Sequence, residues 1–472
     1  MTFLPVLLWS DLLIWLLVLA GIALGVASSC NPPLRAAWRR VGQSRRGMAA
    51  ATVLVVFVAV GLLDSLHYRP RLESTEAGQP TAYAVEVLSA LDALLTPLRT
   101  REEKTYSEPL ATRSYAKEFF DVREADGSVH PVRDFPRLKF GGAHLGDDET
   151  ARTGDIAKRV LVAEALVALV FAALAAGVVW LLACRGKQDV RKAWRAVWRG
   201  ETRFAWNGVL ITLGVLLLIA APFAALSVDY HVLGTDKVGQ DVFYQVLKSI
   251  RTALVLGLVT TLVTLPLAIG LGILAGYFRG WVDDAIQYLY TTLSSIPGVL
   301  LIAAAVLMMQ VIIDTHPQWF STAAERADLR LLALCLILGM TSWTGLCRLL
   351  RGETLKLREL EYIQAAQAFG VSDLRIIRRH ILPNLMHIVI IALVMDFSGL
   401  VLAEAVLSYV GIGVDATTTS FGMMINNARM ELAREPMVWW SLVSAFTFMF
   451  VLVLAANLFA DALRDAFDPR MR

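Results

Sequence analysis

The chain has 472 residues, 56% of them hydrophobic, with a mean hydropathy of +0.57 and a net charge of only +3. That composition excludes an ordinary soluble protein and makes the bilayer the medium against which the sequence is read. So small a net charge implies no nucleic-acid partner. Cys30, Cys184, Cys335 and Cys347 lie in or beside apolar runs without metal-ligand spacing, which reads as free thiols rather than a disulfide framework.

A helical span needs about 20 mostly apolar residues, and nine segments approach that length: 5–28, 48–66, 159–183, 205–227, 250–277, 285–313, 329–350, 385–410 and 438–460. The first contains Asp11, lacks a basic leader and runs long, so it reads as a retained helix rather than a cleaved signal peptide. Lys and Arg set the orientation. Residues 31–47 hold five Arg, 185–203 and 348–379 seven basic residues each, and 464–472 three, against two, one and two in 226–249, 314–328 and 411–437. The basic set is therefore expected in the cytoplasm, with the N-terminus outside and the C-terminus inside.

The chain divides accordingly. Residues 1–66 form two spans around a basic cytoplasmic loop, 67–158 an extracytoplasmic insert, 159–204 a third span with a basic segment, and 205–472 a six-span core. The insert holds six prolines, mixed charges and a helix-like stretch near 83–98, which leaves open a loosely ordered loop or a small folded cap. Either way it reads as separable from the core. Arg35-Ala-Ala-Trp38-Arg-Arg-Val41 is echoed by Arg191-Lys-Ala-Trp194-Arg-Ala-Val197. A basic, Trp-bearing helix at the inner interface accounts for both without a duplication.

Within the core, Leu233-Gly234-Thr235-Asp236 with Gly239 and Asp241 forms an outer motif. Asp229, Asp236 and Asp241 fit no calcium loop and read as turn and cap residues. Pro297 falls inside an apolar run, where it should bend the span beside Ser294, Ser295 and Gly298; the bend either lines a pathway or is a tolerated kink. Asp396 and Glu404 lie in the eighth span, where carboxylates face a wet interior or a partner. Asp396 is the pathway candidate, whereas Glu404 reads as bonded to backbone.

The stretch Arg358–Asn384 is a polar segment between apolar runs and reads as two short helices with a sharp turn. Leu360, Ile363, Ala366 and Phe369 share one face of the first, and Gly370 ends it in a left-handed conformation. Ser372 should cap the second, with Leu374, Ile377 and Ile381 on one face and Pro383 as its stop. One stripe can pack under the membrane helices and leave the other for a partner.

Glu361, Gln364-Ala365-Ala366, Gly370 and Leu382-Pro383 resemble the Glu-Ala-Ala loop of the membrane subunits of binding-protein-dependent ABC importers. Two departures are Gln364 in the glutamate slot and His380 in an isoleucine slot. The outer motif, Gly276-Tyr277-Phe278-Arg279-Gly280-Trp281-Val282-Asp283, Ala403-Glu404-Ala405 and the tail Asp465 to Arg470 are similar to the dipeptide and oligopeptide branch. The resemblance implies an all-α polytopic inner-membrane permease with a type I core of six helices preceded by three extra ones, its loop at 358–384 acting as the coupling helix. It implies partners too: a second homologous permease subunit, two ABC ATPase subunits and an extracytoplasmic solute-binding protein. No cofactor is expected in this chain; ATP and Mg2+ would act in the ATPases. Transport of nickel or another small solute, or an envelope scaffold without transport, are the competing readings. With no GxxxxGK[ST], HExxH or GxSxG motif, an enzyme is not supported.

Overall fold

In a computed structural model, residues 3–30, 32–72, 83–123, 129–146, 149–187, 189–320, 322–415 and 417–467 are described. The tail motif from Asp468 onward, part of the insert and Asp147-Asp148 lie outside them. Strand β1 (Phe3–Val6) precedes α1 (Trp9–Cys30), α2 (Pro32–Gln43) and α3 (Arg45–Asp64). The insert supplies β2 (His67–Pro70), β3 (Leu88–Ser89), α4 (Ala90–Leu94), α5 (Thr96–Thr100), β4 (Glu118–Arg123) and β5 (Val129–Asp134). There follow α6 (Arg152–Gly186), α7 (Val190–Arg199), α8 (Trp206–Leu226), α9 (Val242–Phe278), α10 (Gly280–Ser295), α11 (Gly298–Thr315) and α12 (Ala323–Arg358). The chain ends with α13 (Glu361–Ala368), α14 (Asp373–Ile376), α15 (Leu382–Tyr409), α16 (Phe421–Glu431) and α17 (Trp440–Phe467).

Among the described residues eight helices are long and apolar enough to cross a membrane, and α1 adds a shorter apolar stretch, Trp9–Ala23. The protein is thus an all-α polytopic membrane protein. One expected span is not a single helix. Residues 285–313 divide at Ile296-Pro297 into α10 and α11, with Pro297 at the N-cap of α11. A proline has no N–H to give, and at a helix start none is required, so the chain breaks where a bend was expected.

The molecule divides into two compact units that do not follow chain order. The first comprises residues 1–5, 42–251 and 419–455. In it α3, α6 and α8 pack through small residues: a side chain at Gly208 would meet the Arg45 carbonyl at 2.8 Å, and one at Gly214 the Phe171 ring at 3.1 Å. The insert belongs to this unit as a folded cap. Its sheets are β1-β2-β3 and an antiparallel β4-β5 hairpin pairing Glu118 with Asp134. The helix-like stretch near 83–98 becomes β3, α4 and most of α5, with Ser89 and Asp92 forming a capping box at the start of α4.

The second unit comprises residues 6–41, 252–418 and 456–472. Its core joins Ile273, Tyr277, Trp343, Leu346 and Leu350 to Ile363, Ile376, Ile381 and Leu385. Glycines bring α9 and α12 together, since a Cβ at Gly272 would lie 2.9 Å from the Cys347 carbonyl and one at Gly339 2.6 Å from Val263. Helix α1 packs here as well. Buried Ser10 donates its amide to Asp328 at 3.2 Å and its hydroxyl to the same carboxylate.

Candidate functional site

The loop between α12 and α15 is assembled from local rules. Helix α13 ends in a Schellman arrangement: the Gly370 amide donates to the Gln367 carbonyl at 2.9 Å and the Val371 amide to Ala366 at 3.1 Å. This requires the left-handed backbone of Gly370, whose φ is +74°. No atom lies within 4 Å of where its Cβ would stand, so only conformation, not space, calls for glycine. Ile363, Ile376 and Ile381 are fully buried, while Phe369 and Leu374 are 87% and 75% exposed. Glu361, Gln364 and Ala365 are also exposed, and Ala366 is half-buried against the core. Burial on the second half thus falls on Ile376, Ile377 and Ile381, and Leu374 does not share it as the spacing suggested.

Two further expectations for this loop change. Ser372 occupies the N-cap of α14, but its side chain makes no capping bond. Pro383 does not stop the helix. Residues 377–381 form a π turn in which the Leu382 amide reaches back to the Ile377 carbonyl, and α15 continues directly. The wide turn accommodates the missing N–H of Pro383, and Asn384 Nδ2 covers the His380 carbonyl at 2.7 Å. His380 lies half-buried with its ring 6.0 Å from that of Tyr362.

The segment from Gly276 to Asp283 braces the loop, a role that the sequence did not reveal. Tyr277 Oη donates to Asp373 at 2.6 Å and accepts from Gln367 Nε2 at 3.1 Å, and the Arg358 guanidinium lies 5.7 Å from its ring centre. Arg279 pairs with Glu359. Asp283 takes a two-pronged bond from Arg351 at 2.6 and 2.7 Å, which lowers its pKa. Gln364 folds back to donate to the Glu359 carbonyl at 3.2 Å.

The outer motif is the platform on which the cap sits. Thr235 Oγ1 accepts the Ser107 amide at 2.7 Å and donates to the Thr105 carbonyl at 2.9 Å, and the Glu103 amide donates to the Gly239 carbonyl at 3.0 Å. A Cβ on Gly239 would stand 1.8 Å from the Glu103 carbonyl oxygen, and one on Gly234 2.5 Å from that of Ser107. Both glycines have positive φ, so each serves geometry and close approach together. Buried Trp440 donates Nε1 to the Thr235 carbonyl at 2.9 Å.

The motif's aspartates are structural. Asp236 accepts the Val238 and Gln240 amides, both at 2.9 Å, and Gln245 Nε2 at 2.7 Å. Asp241 accepts the Phe243 amide at 2.8 Å at the start of α9, and its other oxygen lies 2.7 Å from His231 Nδ1. Asp229 pairs with Arg159 at 2.5 Å. Glu103 completes the arrangement by accepting the Lys139, Phe140 and Gly141 amides at 2.8, 2.8 and 3.0 Å, with His231 Nε2 3.4 Å away. Burial opposes its charge, yet His231 and these amides hold its carboxyl down at about 2. Burial likewise opposes the His231 charge, but Asp241 and Glu103 raise its pKa to about 9. Glu103, His231 and Trp440 went unmarked in the sequence. No pattern sets Glu103 apart from Glu102 beside it, and its partners are 36 to 136 residues away, at Lys139 and Gly239.

The pathway candidates do not form a cluster that the structure defines. Ser294, Ser295 and Pro297 are exposed at the α10–α11 break, where Ser295 Oγ donates to the Thr292 carbonyl at 2.7 Å. Asp396 is half-buried in α15 and has no hydrogen-bond partner among the described residues. Glu404 is buried and accepts the Ser408 hydroxyl at 2.6 Å.

Residues 268–472 match the family described as "Binding-protein-dependent transport system inner membrane component". The glutathione transport system permease protein GsiD of Pectobacterium atrosepticum is 32% identical over 306 residues, covering 60% of this chain and 94% of that protein. The chain belongs to this permease family. The permease is also 31% identical over 242 residues to the oligopeptide transport system permease protein OppC of Mycobacterium bovis, 51% and 77% of the two chains. With the dipeptide transport system permease protein DppC of Bacillus subtilis it shares 27% identity over 294 residues, 59% and 85%. It is therefore a multi-pass inner-membrane component of a binding-protein-dependent ABC import system, and such a system also includes an ATPase and a binding protein.

Proposed function

We propose that this permease forms half of the translocation pathway of an ABC importer for di- or oligopeptides. Its partners are a second homologous permease subunit, two ATPase subunits that bind ATP and Mg2+, and an extracytoplasmic solute-binding protein. The chain itself performs no hydrolysis. The single observation that carries the proposal is the loop at 358–384, which buries Ile363, Ile376 and Ile381 and leaves Phe369 and Leu374 bare. Two large apolar side chains held out on a braced turn suit the groove of a partner, and on this reading closure of the ATPases pulls the loop and reorients the spans. The solute class rests on the peptide substrates in the relatives' names.

The experiment is reconstitution with the ATPases and the binding protein. Peptide-loaded binding protein is expected to raise ATP turnover and drive peptide uptake; stimulation by nickel-loaded protein alone would replace the peptide reading. The proposed orientation predicts that a reporter active only outside the cytoplasm works when fused near Ala111 and not near Ser372.

A further inference from the structure

Helix α7 presents three parallel stripes at a spacing of four residues. Ala193 and Val197 are buried in a cluster with Ala175, Val179 and Ala183 of α6 and Leu210 of α8. Next to them Val190, Trp194 and Trp198 are 50%, 45% and 39% exposed, with the two indoles 5.9 Å apart. Beyond these come Arg191, Arg195 and Arg199, with Lys192 alongside, all exposed. Among the described residues none of these four side chains has a hydrogen-bond or ion-pair partner.

The position of the helix narrows what can cover it. Helix α6 crosses the apolar layer and ends at Gly186, and α8 starts its own apolar run at Trp206. A helix of 10 residues, too short to span and packed on both, therefore sits between the ends of two spans. Gly200, with φ +76°, ends it, and Arg45 donates to the Arg199 carbonyl at 3.1 Å, fixing its C-terminal end. Amphipathic indoles favour the headgroup level, and a basic row beside them is complementary to phosphate charge. A hydrated protein surface would give no reason for two neighbouring bare tryptophans.

We propose that α7 is a binding site for anionic phospholipid headgroups, with Trp194 and Trp198 seated in the interface and Arg191, Lys192, Arg195 and Arg199 holding phosphates. The site belongs to the N-terminal helices that precede the transport core and does not depend on which solute is carried.

The test uses the full-length permease purified with its ATPase partners and placed in nanodiscs of phosphatidylcholine alone or mixed with phosphatidylglycerol. Backbone hydrogen exchange over 189–203 is expected to slow several-fold with phosphatidylglycerol and to recover in high salt, because the attraction is screened. Inorganic phosphate added to phosphatidylcholine discs should not reproduce the slowing, which separates a headgroup from a free anion. Unchanged exchange in the wild-type chain, or slowing by phosphate alone, overturns the proposal. Native mass spectrometry of R191Q/K192Q/R195Q/R199Q should show loss of bound phosphatidylglycerol with the ATPases retained. A variant that keeps its lipid and sheds the ATPases overturns it as well and assigns the basic row to a protein partner.

Discussion

Gly239 and Gly370 have nearly the same backbone, φ +80° and +74°, and opposite surroundings. At Gly239 the chain is pressed against the Glu103 backbone, whereas Gly370 faces open space. The approach at Gly239 is held by contacts between distant segments, and the turn at Gly370 by bonds between neighbours. The first should therefore fail as a fold when disturbed, and the second as a machine part.

Four experiments sharpen or break that contrast. The largest effect is expected for Gly239→Ala, which adds a steric clash to left-handed strain; the two together cost roughly 2–6 kcal/mol. Limited proteolysis should then cut the cap between residues 83 and 146. A cap as resistant as the wild type would show that the close approach at Gly239 is not needed. Gly370→Val carries only the conformational cost, roughly 1–3 kcal/mol, and Gly370→Asn less. Membrane levels should stay near normal while ATPase copurification and stimulated turnover fall for Val more than for Asn; normal turnover with Val would remove the physical basis of the docking reading.

The third experiment varies pH. His231 is raised from its ordinary 6.5 to about 9, so its contribution is complete below about 6.5 and is lost as pH rises through about 9. Glu103 is lowered from 4.5 to about 2, so its contribution is complete above about 4.5 and is lost as pH falls through about 2. Protease resistance of the cap should be greatest between these limits and decline toward pH 9. In His231→Gln the alkaline decline should vanish, and its persistence would place the titrating group elsewhere. The smallest effect on stability is expected for Phe369→Ser with Leu374→Ser, because both side chains are already exposed. Thermal stability should be unchanged and ATPase copurification reduced; a stability loss would mean that these residues are core.

Most of the helical plan was legible because spans announce themselves by length and apolarity, and the turn at Gly370 because glycine and its flanking stripes are local signals. What the sequence hid depended on distance or context. The Pro383 stop failed because a π turn, invisible in composition, let the helix run through. Leu374 and Ile376 are both apolar, and only packing against Tyr277 and its neighbours decides which one is buried. Nothing near Glu103 or Ser107 announces that their partners are Gly239 and Thr235. Those contacts are long-range hydrogen bonds of backbone and buried side chains, which leave no periodic trace.

The π turn at 377–381 has a mechanical consequence. Residues 373–409 run as one helical rod of 37 residues, about 55 Å long at 1.5 Å per residue. One end carries Leu374 and the other carries Glu404 and Ser408. The loop is then a crank, with α13 held to the rod by the turn at Gly370, by the Asn384 to Tyr362 bond at 3.1 Å and by Ile363 packed with Ile376 and Ile381. On the proposed docking, force applied at the tip would reach the far end through one continuous helix. A Gly-Gly pair inserted after Asn384 would turn the rod into two loosely linked pieces, so that ATP turnover continues and solute movement stops.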